Sequence, residues 1–212
     1  MNIPIANRLK KRLHVEVGIL QDELVDLLYS IDNRIVMHGG TSIWRCYGGN
    51  RFSEDLDFYA RGDFSEKEFV EKAGQRGLTV LKYKKTANLV FSKVTDGNVE
   101  VRVELNHSTS HAGAIKNYER MDGSIMTVLT LKPEELLLEK ISAYRSRRLI
   151  RDIYDIFHLS SIAKESPELK GALRGFLHNL EPPLDEENLK AIVYSGAIPS
   201  FRQMAELLRS RF

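Results

Sequence analysis

The sequence predicts an α+β fold, and three observations carry that expectation. Apolar side chains recur at helical spacing near the start, at Val17, Leu20, Leu24, Leu27 and Leu28. Strand signals cluster between Leu78 and Leu129, and from Pro133 onward the pattern turns helical. Strands grouped apart from helices mark this class, because a sheet of neighbouring strands needs helices to cover a face.

The first helix gives way at Asp32-Asn33 to a short buried strand, Arg34-Ile35-Val36-Met37-His38. Gly39-Gly40 ends that strand, and Thr41 to Tyr47 reads as a helix carrying Ile43, Trp44 and Tyr47. Gly48-Gly49-Asn50 breaks it before a second strand, Leu56-Asp57-Phe58-Tyr59. Alternation turns Leu56 and Phe58 to the core and Asp55 and Asp57 to a cleft. Ser65 to Glu68 has the spacing of a capping box, and the helix it opens closes at Gly77. Three strands follow, Leu78 to Tyr83, Leu89 to Thr95 and Val99 to Leu105, the last two joined by the turn Asp96-Gly97-Asn98. The polar stretch from Asn106 to Ser124 reads as a functional loop or a flexible connection. After a strand at Ile125 to Leu129, Pro133 suits the first turn of a helix bearing Leu136, Leu137, Lys140, Ile141 and Tyr144. A second helix runs from about Arg151 to Ile162, and short amphipathic helices complete the chain.

With 212 residues, 42% of them hydrophobic, the chain can bury a core as one domain or as a main domain with a helical appendage. No apolar run is long enough to cross a bilayer, and Met1-Asn2-Ile3-Pro4 lacks the start of a secretory signal, so a cytoplasmic location without membrane partners is expected. The single cysteine, Cys46, reads as a small buried hydrophobe. A net charge of +2 neither demands nor excludes nucleic acid. Two basic clusters, Lys82, Lys84 and Lys85, and Arg145, Arg147, Arg148 and Arg151, are candidate RNA phosphate contacts or solvated faces.

The chemistry concentrates in His38-Gly39-Gly40-Thr41-Ser42 and in Asp55-Leu56-Asp57. Adjacent glycines after a strand let backbone approach an anion, and the following helix aims N–H groups at it. Two aspartates one residue apart on a strand face the same way with Cα atoms ~6 to 7 Å apart, which suits shared ligation of hard divalent cations such as Mg²⁺. Strand alternation also puts Arg102 and Glu104 opposite the apolar side chains Val101, Val103 and Leu105, which makes Glu104 a further candidate ligand. His38 reads as a packed strand-end histidine, and His107 and His111 do not suggest a metal site.

Gly39-Gly40-Thr41, the run Arg51-Phe52-Ser53-Glu54-Asp55-Leu56-Asp57-Phe58, Glu139-Lys140 and Arg151-Asp152-Ile153-Tyr154-Asp155 resemble the AbiEii/AbiGii-type nucleotidyltransferase toxin family. The resemblance implies a polymerase-β-like nucleotidyltransferase fold, with a mixed sheet flanked by helices in residues 1–130 and a helical region in 131–212 that contributes Lys and Asp to the active site. It implies that Asp55 and Asp57 hold Mg²⁺ or Mn²⁺ against a nucleoside triphosphate, with Gly39, Gly40 and the hydroxyls of Thr41 or Ser42 near the phosphates. Lys140 would neutralise phosphate charge, and Asp152 or Asp155 would act as general base. On the residues' own reading, Arg51 and Ser53 orient the aspartates, contact phosphate or merely shape the loop. The acceptor it implies is RNA, a tRNA 3′ end, and the role is the toxin of a toxin–antitoxin pair with a cognate antitoxin protein. The alternatives are a catalytically silent nucleotide- or RNA-binding module and a small-molecule nucleotidyltransferase of the antibiotic-modifying kind.

Overall fold

The structure, a computed structural model, describes residues 3–212; Met1-Asn2, the start of the segment read for a secretory signal, lies outside them. The chain divides into two compact units. One comprises the chain up to Gly48 with Phe52–Leu131, and the other comprises Gly49–Arg51 with Lys132–Phe212.

The first unit holds α1 (Ile5–Arg8), α2 (Arg12–Ile31), β1 (Val36–His38), α3 (Gly39–Cys46), β2 (Leu56–Ala60), α4 (Glu66–Gln75), β3 (Thr79–Lys85), β4 (Leu89–Thr95), β5 (Glu100–His107), β6 (Ala114–Glu119) and β7 (Ile125–Thr130). The strands form one mixed sheet in the order β3-β4-β5-β2-β1-β7-β6. Its parallel pairs are β2 with β5 and β1 with β7. One face is apolar: Met37, Leu56, Phe58, Val94, Val101 and Val103 are at most 1% exposed. The buried stripe of α2, Val17, Leu20, Leu24, Leu27 and Leu28, matches the spacing read from sequence. Each such side chain contributes about 1.5 to 3 kcal/mol when fully buried.

Two differences from the sequence reading matter. The glycine pair belongs to the first turn of α3, with His38 as N-cap, instead of lying between strand and helix. The stretch read as irregular contains β6, which pairs antiparallel with β7 from Ala114–Thr130 to Glu119–Ile125. Four of its first five residues are half-buried or exposed and only Tyr118 is fully covered, so no apolar alternation announces it.

Tyr118 joins a buried polar knot that ties α3 to α2. Arg45, only 2% exposed, pairs with Asp22 and donates to Tyr118 Oη (3.1 Å) and to the Gly18 carbonyl (3.1 Å), with its guanidinium 4.4 Å from the Trp44 ring centroid. Asp22 also accepts from Tyr118 Oη (3.0 Å) and Met121 N–H (2.7 Å). Gly18 lacks a side chain where a Cβ would run into the Met121 thioether. Beside this knot, burial pushes the Cys46 thiol up to about 12, which leaves it protonated and inert.

The second unit is helical: α5 (Pro133–Arg147), α6 (Ile150–Ser160), α7 (Pro167–His178), α8 (Leu189–Ile192) and α9 (Phe201–Arg211), with a 3₁₀ turn at Glu186–Asn188. Gly49–Arg51 is held to it by an isolated bridge from Arg51 to Val193 and by Tyr194, whose N–H donates to the Asn50 carbonyl (3.1 Å) and whose hydroxyl donates to that of Gly49 (3.1 Å). Among the described residues no helix is long and apolar enough to cross a membrane.

Removing Asp22 leaves the Arg45 guanidinium buried without its counter-charge, so Asp22→Ala is expected to lose about 3 to 5 kcal/mol of stability. Urea unfolding followed by circular dichroism measures this. A loss below about 1 kcal/mol would mean that Arg45 finds water instead.

Candidate active site

On the sheet face away from the apolar side chains, register aligns three polar residues on neighbouring strands. His38 on β1 stands opposite Asp57 on β2, and Asp57 stands beside Glu104 on β5. Asp55, just before β2, takes a bidentate grip from Arg102, with Nε to Oδ1 at 3.0 Å and Nη2 to Oδ2 at 2.6 Å. Both aspartates and Glu104 therefore lie on one face, as strand alternation requires. Burial, then the negative charges of Asp57 and Asp55, push the Glu104 carboxyl above its ordinary value against the pull of Arg102 and His38. His38 is packed as expected: its ring stacks on Tyr59 at 4.0 Å, and His111 stacks on Tyr59 at 4.2 Å.

Gly39 explains how this row meets the start of α3. Its φ of 72° is in the left-handed region, and a Cβ there would overlap Asp57 Oδ2. Only glycine lets the helix start close over that carboxylate. The first turn of α3 presents N–H groups that no intrahelical acceptor satisfies, beside a carboxylate that a cation would complete. Thr41 and Ser42, expected near phosphate through their hydroxyls, commit those hydroxyls elsewhere. Thr41 Oγ1 donates to the Asp55 carbonyl (2.6 Å), and Ser42 Oγ shares a hydrogen bond with Thr130 Oγ1 (2.5 Å). These hydrogen bonds fix the loop and the helix.

Gln21 is a buried residue beside the site that the sequence reading missed. It is 0% exposed, and its Nε2 donates to the carbonyls of Ser53 (2.9 Å) and Glu54 (3.0 Å), setting the approach to Asp55. A polar residue four after Val17 and three before Leu24, inside an apolar stripe, was the available signal. Arg102 is on the face that strand alternation gave it, but its pairing with Asp55 was not read from sequence.

Several carboxylate oxygens gathered on one face suit a hard divalent cation. Among the described residues no three His, Cys, Asp or Glu side chains converge to ligating distance, with Asp55 drawn to Arg102. The Arg102 guanidinium neutralises Asp55 in this arrangement. Donor chemistry and local charge therefore fit Mg²⁺ or Mn²⁺ at Asp55 and Asp57, with Glu104 adjoining.

In the helical unit, Asp152 and Asp155 lie one turn apart on α6 and are at most 1% exposed. Asp155 accepts from Arg51 Nε (2.6 Å) and Nη2 (2.5 Å), and its Oδ2 lies 2.9 Å from Lys140 Nζ. Asp152 accepts from Arg147 (2.7 and 2.8 Å) and from Lys140 (3.4 Å). Lys140 is buried, not solvated. The Asp152 partner is Arg147 instead of the Arg148 four residues earlier, because Arg148 adopts φ 48° and ends α5, turning its own side chain to Glu181. Burial works to raise the Asp155 pKa, but Arg51 and then Lys140 outweigh it and hold the carboxyl below its ordinary value.

The basic clusters separate in the same way. Lys82 and Lys84 are exposed, whereas Lys85 lies on the opposite face of β3, paired with Asp63. Arg145 stands 6.0 Å from the Phe176 ring centroid, Arg147 and Arg148 are ion-paired, and Arg151 is half-buried.

Because the folded Asp155 carboxyl titrates below its unfolded value of about 3.9, its contribution is fully present above that pH and is lost as pH falls through the folded pKa. Asp155→Asn is expected to flatten this acid limb and to lower stability at neutral pH by about 3 to 5 kcal/mol. Urea unfolding across the acid range reads both; an unchanged limb would remove Asp155 as its source.

Comparison with known proteins identifies the family and the fold. The sequence profile described as "Nucleotidyl transferase AbiEii toxin, Type IV TA system" matches residues 24–193. Among solved structures, MenT4, a nucleotidyltransferase toxin of Mycobacterium tuberculosis, is similar at TM-score 0.60 and 21% identity, over 92% of this chain and 81% of that one. JHP933 of Helicobacter pylori is similar at TM-score 0.60 and 18% identity, over 92% and 93%. The antibiotic-resistance factor ANT(2'')-Ia is similar at TM-score 0.50 and 15% identity, over 77% and 93%. No curated protein sequence matches. At these identities the solved structures speak for the fold, which is that of the polymerase-β-like nucleotidyltransferases, while the profile spans most of the chain. The chain belongs to the AbiEii family of nucleotidyl transferase toxins of type IV toxin–antitoxin systems.

Proposed function

We propose that the protein moves a nucleoside monophosphate from a nucleoside triphosphate to an acceptor hydroxyl, breaking the bond between the α- and β-phosphates and releasing pyrophosphate, in a divalent-metal-dependent reaction, with RNA, at a tRNA 3′ end, as acceptor. The observation that carries the reading is Gly39, whose missing side chain brings the start of α3 against Asp57 in a row that includes Glu104. Asp55 and Asp57, with Glu104 adjoining, would hold Mg²⁺ or Mn²⁺, which when bound supplies positive charge to the triphosphate oxygens. The backbone of Gly39 and Gly40 receives phosphate. Thr41 and Gln21 hold the Asp55 loop in place.

Lys140 is assigned the neutralisation of phosphate charge, which grows on oxygen as the bond to phosphorus changes hands. Asp152 and Asp155 each hold Lys140 together with an arginine, so their role is to position these cations. For Asp155, whose carboxyl Arg51 and Lys140 hold below its ordinary value, positioning replaces the expected general-base role. A cytoplasmic location and a cognate antitoxin protein go with the toxin role.

The test is to incubate purified protein with cell extract, Mg²⁺ and each labelled nucleoside triphosphate, then separate RNA, protein and small molecules. Label in RNA of tRNA size is expected; label confined to protein or metabolites would overturn the acceptor assignment. Asp57→Ala is expected to abolish labelling while its circular dichroism spectrum stays that of wild type. Gly39→Ala, which strains a left-handed backbone and displaces Asp57, is expected to slow labelling on the order of a hundredfold. Full activity in either variant contradicts the site.

A further inference from the structure

The sheet face that carries Asp57 continues past the carboxylates. Register places its side chains in two rows: Asp57, Glu104, Phe91 and Lys84 in one, and Asp55, Arg102, Lys93 and Lys82 in the other. Three strand spacings separate β2 from β3, so each row is about 14 Å long. Lys82, Lys84 and Arg102 are exposed, and Phe91 and Lys93 are half-buried. Lys82 Nζ stands 5.3 Å from the Phe91 ring centroid.

This pattern opposes folding. Lys82 faces Lys93, and Lys93 faces Arg102, on adjacent strands, and like charges directly opposite one another are destabilising. Glu100 answers Lys93 at 2.5 Å and Asp55 answers Arg102. Among the described residues, Lys82 and Lys84 meet no carboxylate. What the face offers is a cationic end at β3, an aromatic ring in mid-row, and a carboxylate end at β2.

A polyanion with an uncharged terminus matches that polarity. Its phosphates would meet the lysines, a base would stack on the ring, and its terminal hydroxyl would lie at the carboxylates. An acidic protein segment would use the lysines but has no group that calls for the ring between them and Glu104. The geometry points to the open face of β3, β4 and β5 as the track for the single-stranded 3′ end of the acceptor RNA, with Phe91 stacking a base and Lys82, Lys84 and Lys93 holding the backbone. The inference rests on RNA being the acceptor, as proposed above.

Binding measured without catalysis tests it. The full chain is titrated against a fluorescent single-stranded RNA with a free 3′ hydroxyl, by anisotropy at several salt concentrations. The double variant Lys82→Gln/Lys84→Gln is expected to bind about tenfold more weakly at low salt and to reduce the slope of log K against log salt by about 1.4, or about 0.7 per phosphate contact. Phe91→Leu keeps apolar volume but no ring; it is expected to bind about tenfold more weakly with the slope unchanged, and Phe91→Tyr to restore binding. Lys85→Gln, on the other face, is expected to bind as wild type.

Wild-type RNA affinity in Phe91→Leu and the double lysine variant, each with the wild-type melting curve, would overturn the track. So would displacement of RNA by polyglutamate with Phe91→Leu silent, which would mark the face as one for acidic protein. Extract labelling that ends in protein or metabolites defeats the acceptor assignment instead, whereas labelled RNA with unaffected variants defeats only the track.

Discussion

The register of β2 between β1 and β5 is the constraint on which the rest of the first unit depends. It places His38, Asp57 and Glu104 on one face and Met37, Phe58 and Leu105 on the other. A slip of one residue would turn Asp57 into the core and Phe58 out of it. Phe58, Leu56 and Met37 are all 0% exposed, so the carboxylates are aligned by apolar burial on the reverse of the sheet. Stability and chemistry are coupled through the pleat, with no contact needed between the groups that provide each.

The helical unit holds charge differently. Asp152, Asp155, Arg51 and Lys140 are all at most 6% exposed, where every ion loses its water. A buried network of this kind is weak support for stability, since apolar side chains of the same volume would serve at least as well. Its physical account lies in what it fixes: an ammonium held at 2.9 Å from one carboxylate and 3.4 Å from another has little freedom left. A cation so placed need not be reorganised when negative charge develops near it. The Arg102–Asp55 pair in the sheet unit is the opposite case, half-exposed and so less costly to break.

Much of this was legible in the sequence, for reasons that can be named. The strand alternation of Leu56-Asp57-Phe58 and the glycine pair foretold which side chains would share a face, because strand periodicity is a local property. β6 was hidden because Ala114 to Asn117 are half-buried or exposed and the apolar pattern never forms. Gln21 and Arg45 were hidden for the converse reason: each is a polar side chain on an apolar helix face, satisfied by backbone or carboxylate groups distant in sequence. Helical spacing alone would set Arg148 against Asp152 at i−4, but that rule assumes a continuous helix, and the left-handed Arg148 interrupts it.

In sequence the two basic clusters looked alike, and the structure shows why they are not interchangeable. To serve phosphate, Arg147 would have to leave Asp152, whose carboxyl is 0% exposed. Releasing Arg147 would leave a fully buried carboxylate with Lys140 alone at 3.4 Å, a cost that offsets the roughly 1 kcal/mol or less expected of an exposed ion pair formed in its place. Arg148 is engaged with Glu181, and Arg145 rests over Phe176. Lys82 and Lys84 carry no such obligation, and their rows across the sheet lead in register to Asp55 and to Glu104 and Asp57 respectively. A basic residue's value to a polyanion is thus set by the cost of releasing it from the fold, and on that scale the sheet face outranks the helix junction.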